Sequence, residues 1–412
     1  MRSIGVLSSF IIVLLVAGAA VAKDLGPCTD ASATQKAGAW KGIVESGVDV
    51  PGSSIAKAEQ PKVIERMAAF ADLLHQALGE QKGYDAAWYR SAGGEVYRDG
   101  PQGYRLNVPL YSFVCSDGRL EREGEYSGEV SIHANGVWVM STGDKYVING
   151  KRYYQLGSPI GEIRGFPAFE ADTHNGPGGV QITWVVLVSK PGKSPFTYAS
   201  RGELLDHMLV LADEEWQKGL KTADLVTPIR PKDVQEKDKQ KGLELFLKGA
   251  KDEQQRQKWT ERYLKDYRTD EQKREEARAK FNKIHDKTRA YLDGLRAKFT
   301  PGQLEQPALV AANTLYPDEY FKFSPSKLEF CGNRTMCDNT MHGKPFALPN
   351  RAYFDPALPR SSAQFLTVSF TWTDHVVTRN GKHLLENPQW EKIRDDFFSR
   401  LDFDRLVSLL GK

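Results

Sequence analysis

Asn-Gly dipeptides at 135–136 and 149–150 and a long apolar run, 182–188, fall within one stretch of the chain, residues 129–189. Together they call for a β-sheet. A two-residue type I′ hairpin turn needs positive φ at both central positions, which Asn and Gly tolerate. Asn135-Gly136 therefore predicts that Ala134 pairs with Val137, His133 with Trp138, Ile132 with Val139 and Ser131 with Met140. Facing residues share a side of the sheet. Val130, Ile132, Ala134, Val137 and Val139 would form a core face, and Ser131, His133, Trp138 and Met140 a mixed one.

The second turn, Asn149-Gly150, predicts pairing of Ile148 with Lys151, Val147 with Arg152 and Tyr146 with Tyr153. Further strands are expected over 105–115, 160–169 and 180–189. In the last, Val185 and Leu187 interrupt the alternation of Val180, Ile182, Trp184, Val186 and Val188, so both faces should be covered.

The N-terminus has the pattern of a secretory leader. Arg2 precedes an apolar run over 4–16, and Ala20-Val21-Ala22 fits the small-residue cleavage rule, giving an expected signal peptide 1–22. The run is short for a bilayer span, and no stable membrane insertion is expected after cleavage. An exported product, secreted or periplasmic, places four cysteines in an oxidising compartment. The expected disulfides are Cys28–Cys115 and Cys331–Cys337. Cys331, Cys337 and His342 match no common zinc spacing, so no metal site is assigned.

Helices frame the sheet. Pro61 opens an apolar stripe of Val63, Met67, Phe70, Leu74, Ala77 and Leu78, with Arg66 and His75 at its edge, and Gly79 stops it. Ser200 with Glu203 forms a capping box before Leu204, Leu205, Met208, Leu211 and Trp216. Residues 84–103 are expected to be an extended loop or a short strand.

After Pro228 and Pro231, residues 232–298 carry no proline, with 20 Lys+Arg against 14 Asp+Glu. Interspersed charge of this kind marks a solvated helix face, so no nucleic-acid partner is expected. Thr269 and Gln272 cap a second helix in which Phe281, Ile284, Thr288, Tyr291 and Leu295 keep heptad-like spacing. The region reads as a charged, coiled-coil-like helical hairpin turning near 266–270. Beyond Pro301, Leu366, Val368, Phe370 and Trp372 alternate as a strand, and two amphipathic helices close the chain.

The fold class is therefore α+β: an antiparallel sheet packed with helices, plus the helical-hairpin insertion. The expected divisions are the leader 1–22, an α+β body 23–226, the linker and hairpin 227–300, and a C-terminal α+β region 301–412 that packs on the body.

No nucleophile elbow, zinc-protease pair, phosphate loop or dinucleotide fingerprint occurs in the sequence, and no cofactor is expected. The candidate ligand face comprises His133, Trp138, Tyr146, Tyr153 and Glu162, where aromatic rings suit a sugar or a peptide. A helix laid over that face would instead make the aromatics core. Glu125, Glu129, Glu162 and Glu170 on or near strands are the raw material for paired-carboxylate hydrolysis. Asp172 with His174, and Asp374 with His375, are further acid–histidine neighbours. The sequence favours a non-catalytic binding protein that uses the helical arm to meet a protein or glycan partner. The alternative is a hydrolase acting on carbohydrate or peptide, sited on the sheet face or in the groove beside the C-terminal region.

Overall fold

The computed structural model describes residues 28–46, 55–97, 99–136, 141–174, 180–310, 343–374, 378–379, 382–383 and 389–412. The expected leader, Trp138, His375, Cys331 and Cys337 lie outside these residues. The chain divides into two compact units. The first comprises Met1–Val139, Gly161–Lys193 and Ala352–Lys412; the second comprises Met140–Ile160 and Ser194–Arg351.

The first unit is built on a nine-stranded sheet. Its strands are β1 (Trp40–Ser46), β2 (Tyr84–Glu95), β3 (Gln102–Ser116), β4 (Arg119–Arg122), β5 (Gly128–Ala134), β8 (Ser158–Ile163), β9 (Phe166–His174), β10 (Val180–Val188) and β14 (Leu366–Asp374). The order is β1-β2-β3-β5-β14-β10-β9-β8, with β4 paired to the end of β3. Every pairing given a register is antiparallel except β1 with β2.

One face of this sheet is apolar and closed. Leu106, Val108 and Leu110 of β3 stand beside Val130, Ile132 and Ala134 of β5, and beside Leu366, Val368 and Phe370 of β14, all fully buried. Helix α2 (Gln60–Leu78) lies against this side and buries the expected stripe from Val63 to Leu78. Pro61 sits in its first turn and Gly79, at φ 64°, ends it. Arg66 is buried, and donates to the Tyr104 hydroxyl and to the Ser361 carbonyl at 2.8 Å. Helix α7 (Gln389–Arg400) adds Trp390 and Phe397 around Phe370, with ring centroids 6.3 and 5.7 Å away. β10 is buried on both sides over Val185–Val188, as its unbroken apolar run requires.

Two local expectations change. Most of the stretch 84–103 is the long strand β2, because β1 and β3 supply hydrogen-bonding edges on both sides of it, and its end opens β3. The segment 160–169 is two strands, since Arg164 and Gly165 both take positive φ and reverse the chain. The expected hairpin partners of β5 across Asn135-Gly136, residues 137–140, lie outside the described residues, and both edges of β5 are taken: Ala134 pairs with Tyr104 on one side and Leu366 on the other.

The second unit holds a five-stranded sheet of β6 (Ser141–Ile148), β7 (Lys151–Leu156), β11 (Phe196–Tyr198), β12 (Leu309–Val310) and β13 (Lys344–Pro349). Here Asn149 and Gly150, at φ 49° and 75°, form the expected turn, with Ile148 opposite Lys151 and Tyr146 opposite Tyr153. Its core gathers Tyr146, Tyr153 and Phe346 with Leu204, Leu205 and Met208 of α3 (Arg201–Val226) and with Leu292 and Leu295 of α6 (Asp270–Arg296). The Ser200–Glu203 and Thr269–Gln272 capping boxes are both formed.

The charged region is three helices rather than two: α4 (Lys232–Leu247), α5 (Glu253–Asp266) and α6. Asp252 caps α5 by accepting from the Gln255 amide at 2.7 Å, which breaks the first half of the expected hairpin. α6 runs along α3. Phe281 meets Gly219, His285 stacks on Trp216 at 4.5 Å, and Arg296 pairs with Asp206 at 2.5 Å. The seam is therefore Phe281, His285, Thr288, Leu292 and Leu295, and Ile284 stays 60% exposed. α4 and α5 are joined to each other by Phe246, Trp259 and Tyr263.

Disulfide Cys28–Cys115 ties the segment before α1 (Asp30–Gln35) to β3. Among the described residues no helix is long and apolar enough to cross a membrane.

Candidate functional site

The second face of the nine-stranded sheet is polar along β3, β5 and β14. Strand alternation sends every second residue there. Registration aligns them in three rungs. The first is Ser91, Arg105, His133 and Thr367; the second is Tyr89, Asn107, Ser131 and Ser369; the third is Pro109, Glu129, Thr371 and Thr183. The middle of this face is deeply covered. Asn107 and Thr367 have no exposure, Ser131 and His133 have 1%, and Ser369 has 2%.

Ser131 is the hub. Its hydroxyl is hydrogen-bonded to His133 Nε2 at 2.9 Å and to Ser369 Oγ at 2.6 Å. Burial, aided by the positive charge of Arg105, holds His133 well below its ordinary value, so the ring is neutral at physiological pH. The Arg105 Nε donates to Ser91 Oγ at 2.6 Å. Asn107 is different. Neither its amide nitrogen nor its carbonyl oxygen has a hydrogen-bond partner of ordinary geometry, although the Tyr89 hydroxyl lies close enough to feel it. Thr367 Oγ1 is buried without a partner as well. Unpaired buried polar atoms are rare in native proteins, and each costs about 1–3 kcal/mol.

Toward β4 the face opens and becomes aromatic. Tyr111 and Tyr126 meet edge to face at 6.4 Å, Arg122 lies 4.7 Å over the Tyr111 ring, and Tyr126 is 46% exposed. Glu129 sits below them. Desolvation pushes its carboxyl up to about 7, against the opposing pull of Arg105. Its charge in turn helps raise Tyr89 and Tyr126, after their own burial.

At the other end, Ser91, Ala92, Gly93, Tyr104, Arg105, His133 and Gly136 surround a cavity of about 210 Å³. Gly136 is required there, because a Cβ would come within 2.9 Å of the His133 Cβ.

The structure disperses the expected ligand face. His133 is on the floor of this cavity. Tyr146 and Tyr153 belong to the second unit's core at 2% exposure, where Tyr146 donates to Gln155 Oε1 at 3.1 Å. Glu162 is exposed on β8 and Glu125 is exposed in the turn after β4. Glu170 lies on the opposite face from Glu129, where it accepts from Trp184 Nε1 at 2.9 Å, in a layer completed by Arg394 stacked on that indole at 3.8 Å. Among the described residues no three acidic, histidine or cysteine side chains gather as metal ligands.

The arrangement limits the chemistry. Ser131 and His133 have the contact of a nucleophile and its base, but Ser131 is buried and also bonded to Ser369. Glu129 lies four positions along the same strand from His133, about 13 Å at normal strand rise, too far to orient the ring. What remains is a polar surface able to donate and accept hydrogen bonds. Arg105, Asn107, Ser369 and Thr367 were not singled out in the sequence, yet the signal existed: in 104–110 and 366–371 polar residues alternate with fully buried apolar ones.

Comparison with protein-family models, with curated proteins and with solved structures found no match.

Proposed function

We propose that this is an exported, non-catalytic binding protein that holds a small polar ligand on the polar face of the nine-stranded sheet. Export is inferred from the leader-like residues 1–22 and is consistent with the Cys28–Cys115 disulfide. The observation that carries the binding role is Asn107: a fully buried amide on the polar face whose nitrogen and oxygen find no hydrogen-bond partner of ordinary geometry, with the Tyr89 hydroxyl close by. A group that costs stability without serving the structure is what a recognition site retains.

The test is Asn107→Leu, a swap that keeps the branching and heavy-atom count of the side chain. It removes the unpaired atoms and should raise the stability of the free protein by about 1–3 kcal/mol. The same change should abolish the thermal shift that a panel of sugars, amino acids and organic acids gives with the wild type. If Asn107→Leu is markedly less stable, the amide serves the fold and the reading fails.

A second reading uses the helical arm to meet a protein or glycan partner. It is supported by α5, which buries none of its residues, and by the exposure of Leu245, Phe246 and Leu264 at 55, 41 and 47%. Removing all of 232–298 would strip Leu292 and Leu295 from the second unit's core. Exchanging only 240–262 for a short Gly-Ser linker tests the arm while leaving α6 in place. Loss of partner binding with the core intact supports this reading.

A further inference from the structure

Deepening the sheet-face reading, and resting on it, we propose that the open aromatic end of the polar face takes a neutral sugar, with one sugar ring laid on Tyr126 and its hydroxyls bonded by Glu129. Two observations mark this end. Tyr126 is 46% exposed and meets Tyr111 edge to face, so much of its ring is left to solvent. Glu129 is desolvated beside it, and no described residue donates a hydrogen bond to its carboxyl. The Tyr89 hydroxyl adjoins both Glu129 and Asn107, which joins the open end to the buried amide.

A sugar answers both features. Its C–H faces are apolar and suit an aromatic ring, and its hydroxyls donate charge-assisted bonds to a carboxylate. A plain aromatic ligand would cover Tyr126 and leave the Glu129 carboxyl without donors, which is costly. Neutrality follows from the charges around the two tyrosines. Arg105 is opposed by Glu129, Arg122 and Lys41 each approach Asp85 at 3.9 Å, and Glu125 adjoins Tyr126. Arg122 is also held over the Tyr111 ring. These cations are matched by carboxylates, so an ionic ligand would lose its hydration and gain no unbalanced charge. Register sets Glu129 diagonal to Asn107, roughly 7–8 Å along the face, close enough that a ligand on Glu129 disturbs the amide.

The experiment is titration of the full chain at pH 8 with glucose, galactose, N-acetylglucosamine and cellobiose, with glycine, acetate and phenol as comparators. Nuclear magnetic resonance follows the Tyr126 ring and the Asn107 side-chain amide. At least one sugar should bind and move both signals. Tyr126→Ala should weaken it by about tenfold, the loss of one ring contact, whereas Tyr126→Phe keeps the ring and should bind within about twofold. Glu129→Gln should weaken it by about fivefold, since an amide oxygen accepts a hydroxyl less strongly than a carboxylate. If Tyr126→Ala does not fold, as judged by circular dichroism, Glu129→Gln decides. Unchanged sugar affinity in either folded variant overturns the proposal, as does a loss in Tyr126→Phe equal to that in Tyr126→Ala. Comparators shifting the Asn107 signal while no sugar does sinks the sugar assignment but leaves the sheet-face site standing. No shift of either residue with any compound sinks both.

Discussion

Glu129→Gln isolates the electrostatic cost built into the polar face. The carboxyl is raised from an ordinary 4.5 to about 7 by desolvation, with Arg105 opposing. Between those values the folded state keeps a proton that the unfolded chain releases. Stability therefore falls as pH rises through this window, and the full penalty is present above about 7. At 1.36 kcal/mol per pH unit the penalty is about 3 kcal/mol, an upper figure because the side chain keeps some exposure. His133 works in the opposite sense. Its folded value is depressed below 6.5, so it lowers stability as pH falls below 6.5. The two partly cancel between pH 4.5 and 6.5, and above 6.5 Glu129 acts without that offset. Glutamine keeps the shape and cannot ionise. By differential scanning calorimetry, wild type and variant should melt together near pH 5. At pH 8 the variant should melt higher by at most about 6–12 °C, given about 2–4 °C per kcal/mol for 150–250 residues. A gap of the same size at both pH values, or a Glu129 carbon resonance titrating near 4.5, would refute the reasoning.

Asn135→Ala should destabilise the first unit by about 3 kcal/mol or more in urea unfolding. Its buried amide donates to the carbonyls of Gln102 and Ser362 and accepts from the Gln364 amide, and alanine would leave these backbone groups unpaired at a positive φ. Reduction of Cys28–Cys115, or Cys28→Ser with Cys115→Ser, should lower stability by about 2–4 kcal/mol, since the bridge closes a loop with a sequence separation of 87; an unchanged melting temperature under reductant would contradict this. The base of the helical arm should loosen in acid. Arg230 bonds Asp270 at 2.6 and 2.9 Å and pulls its carboxyl down to about 2, so that contribution is lost as pH falls from about 4 to 2; hydrogen exchange at the start of α6 should rise there, and not between pH 5 and 7.

The Asn-Gly dipeptides at 135–136 and 149–150 show where local reading works and where it stops. Asn149 and Gly150 both take positive φ, and the residues on either side are free to pair, so the expected hairpin forms. At 135–136 only Asn135 takes positive φ. Its side chain is consumed by Gln102, Ser362 and Gln364, and β5 has both edges filled. The dipeptide reports what the backbone tolerates; which strand occupies an edge is decided elsewhere in the chain. The same distinction explains α6. Heptad spacing is visible and Tyr291 packs against the core, but Ile284 stays exposed, and the seam against α3 also runs through His285 and Leu292, each one residue further round the helix.

The polar face was half legible for a related reason. The alternation of Thr367, Ser369 and Thr371 with Leu366, Val368 and Phe370 identifies one buried apolar side and one polar side for that strand. Arg105 and Asn107 show the same pattern, as do Ser131 and His133. What no single segment carries is that these three strands are neighbours. β14 comes from the C-terminal part of the chain and inserts between β5 and β10, so the Ser131–Ser369 contact joins residues 238 positions apart. Paired antiparallel strands need no particular sequence spacing, because the ladder bonds are made by backbone groups common to all residues but proline. The polar rungs are therefore a better guide than any one motif: three strands whose alternate positions are mostly polar, with the middle rung buried, must lie together, because none could bury such a face alone. That grouping places Asn107 and Arg105 beside His133, and it is the step that turns an isolated histidine on a strand into a binding surface.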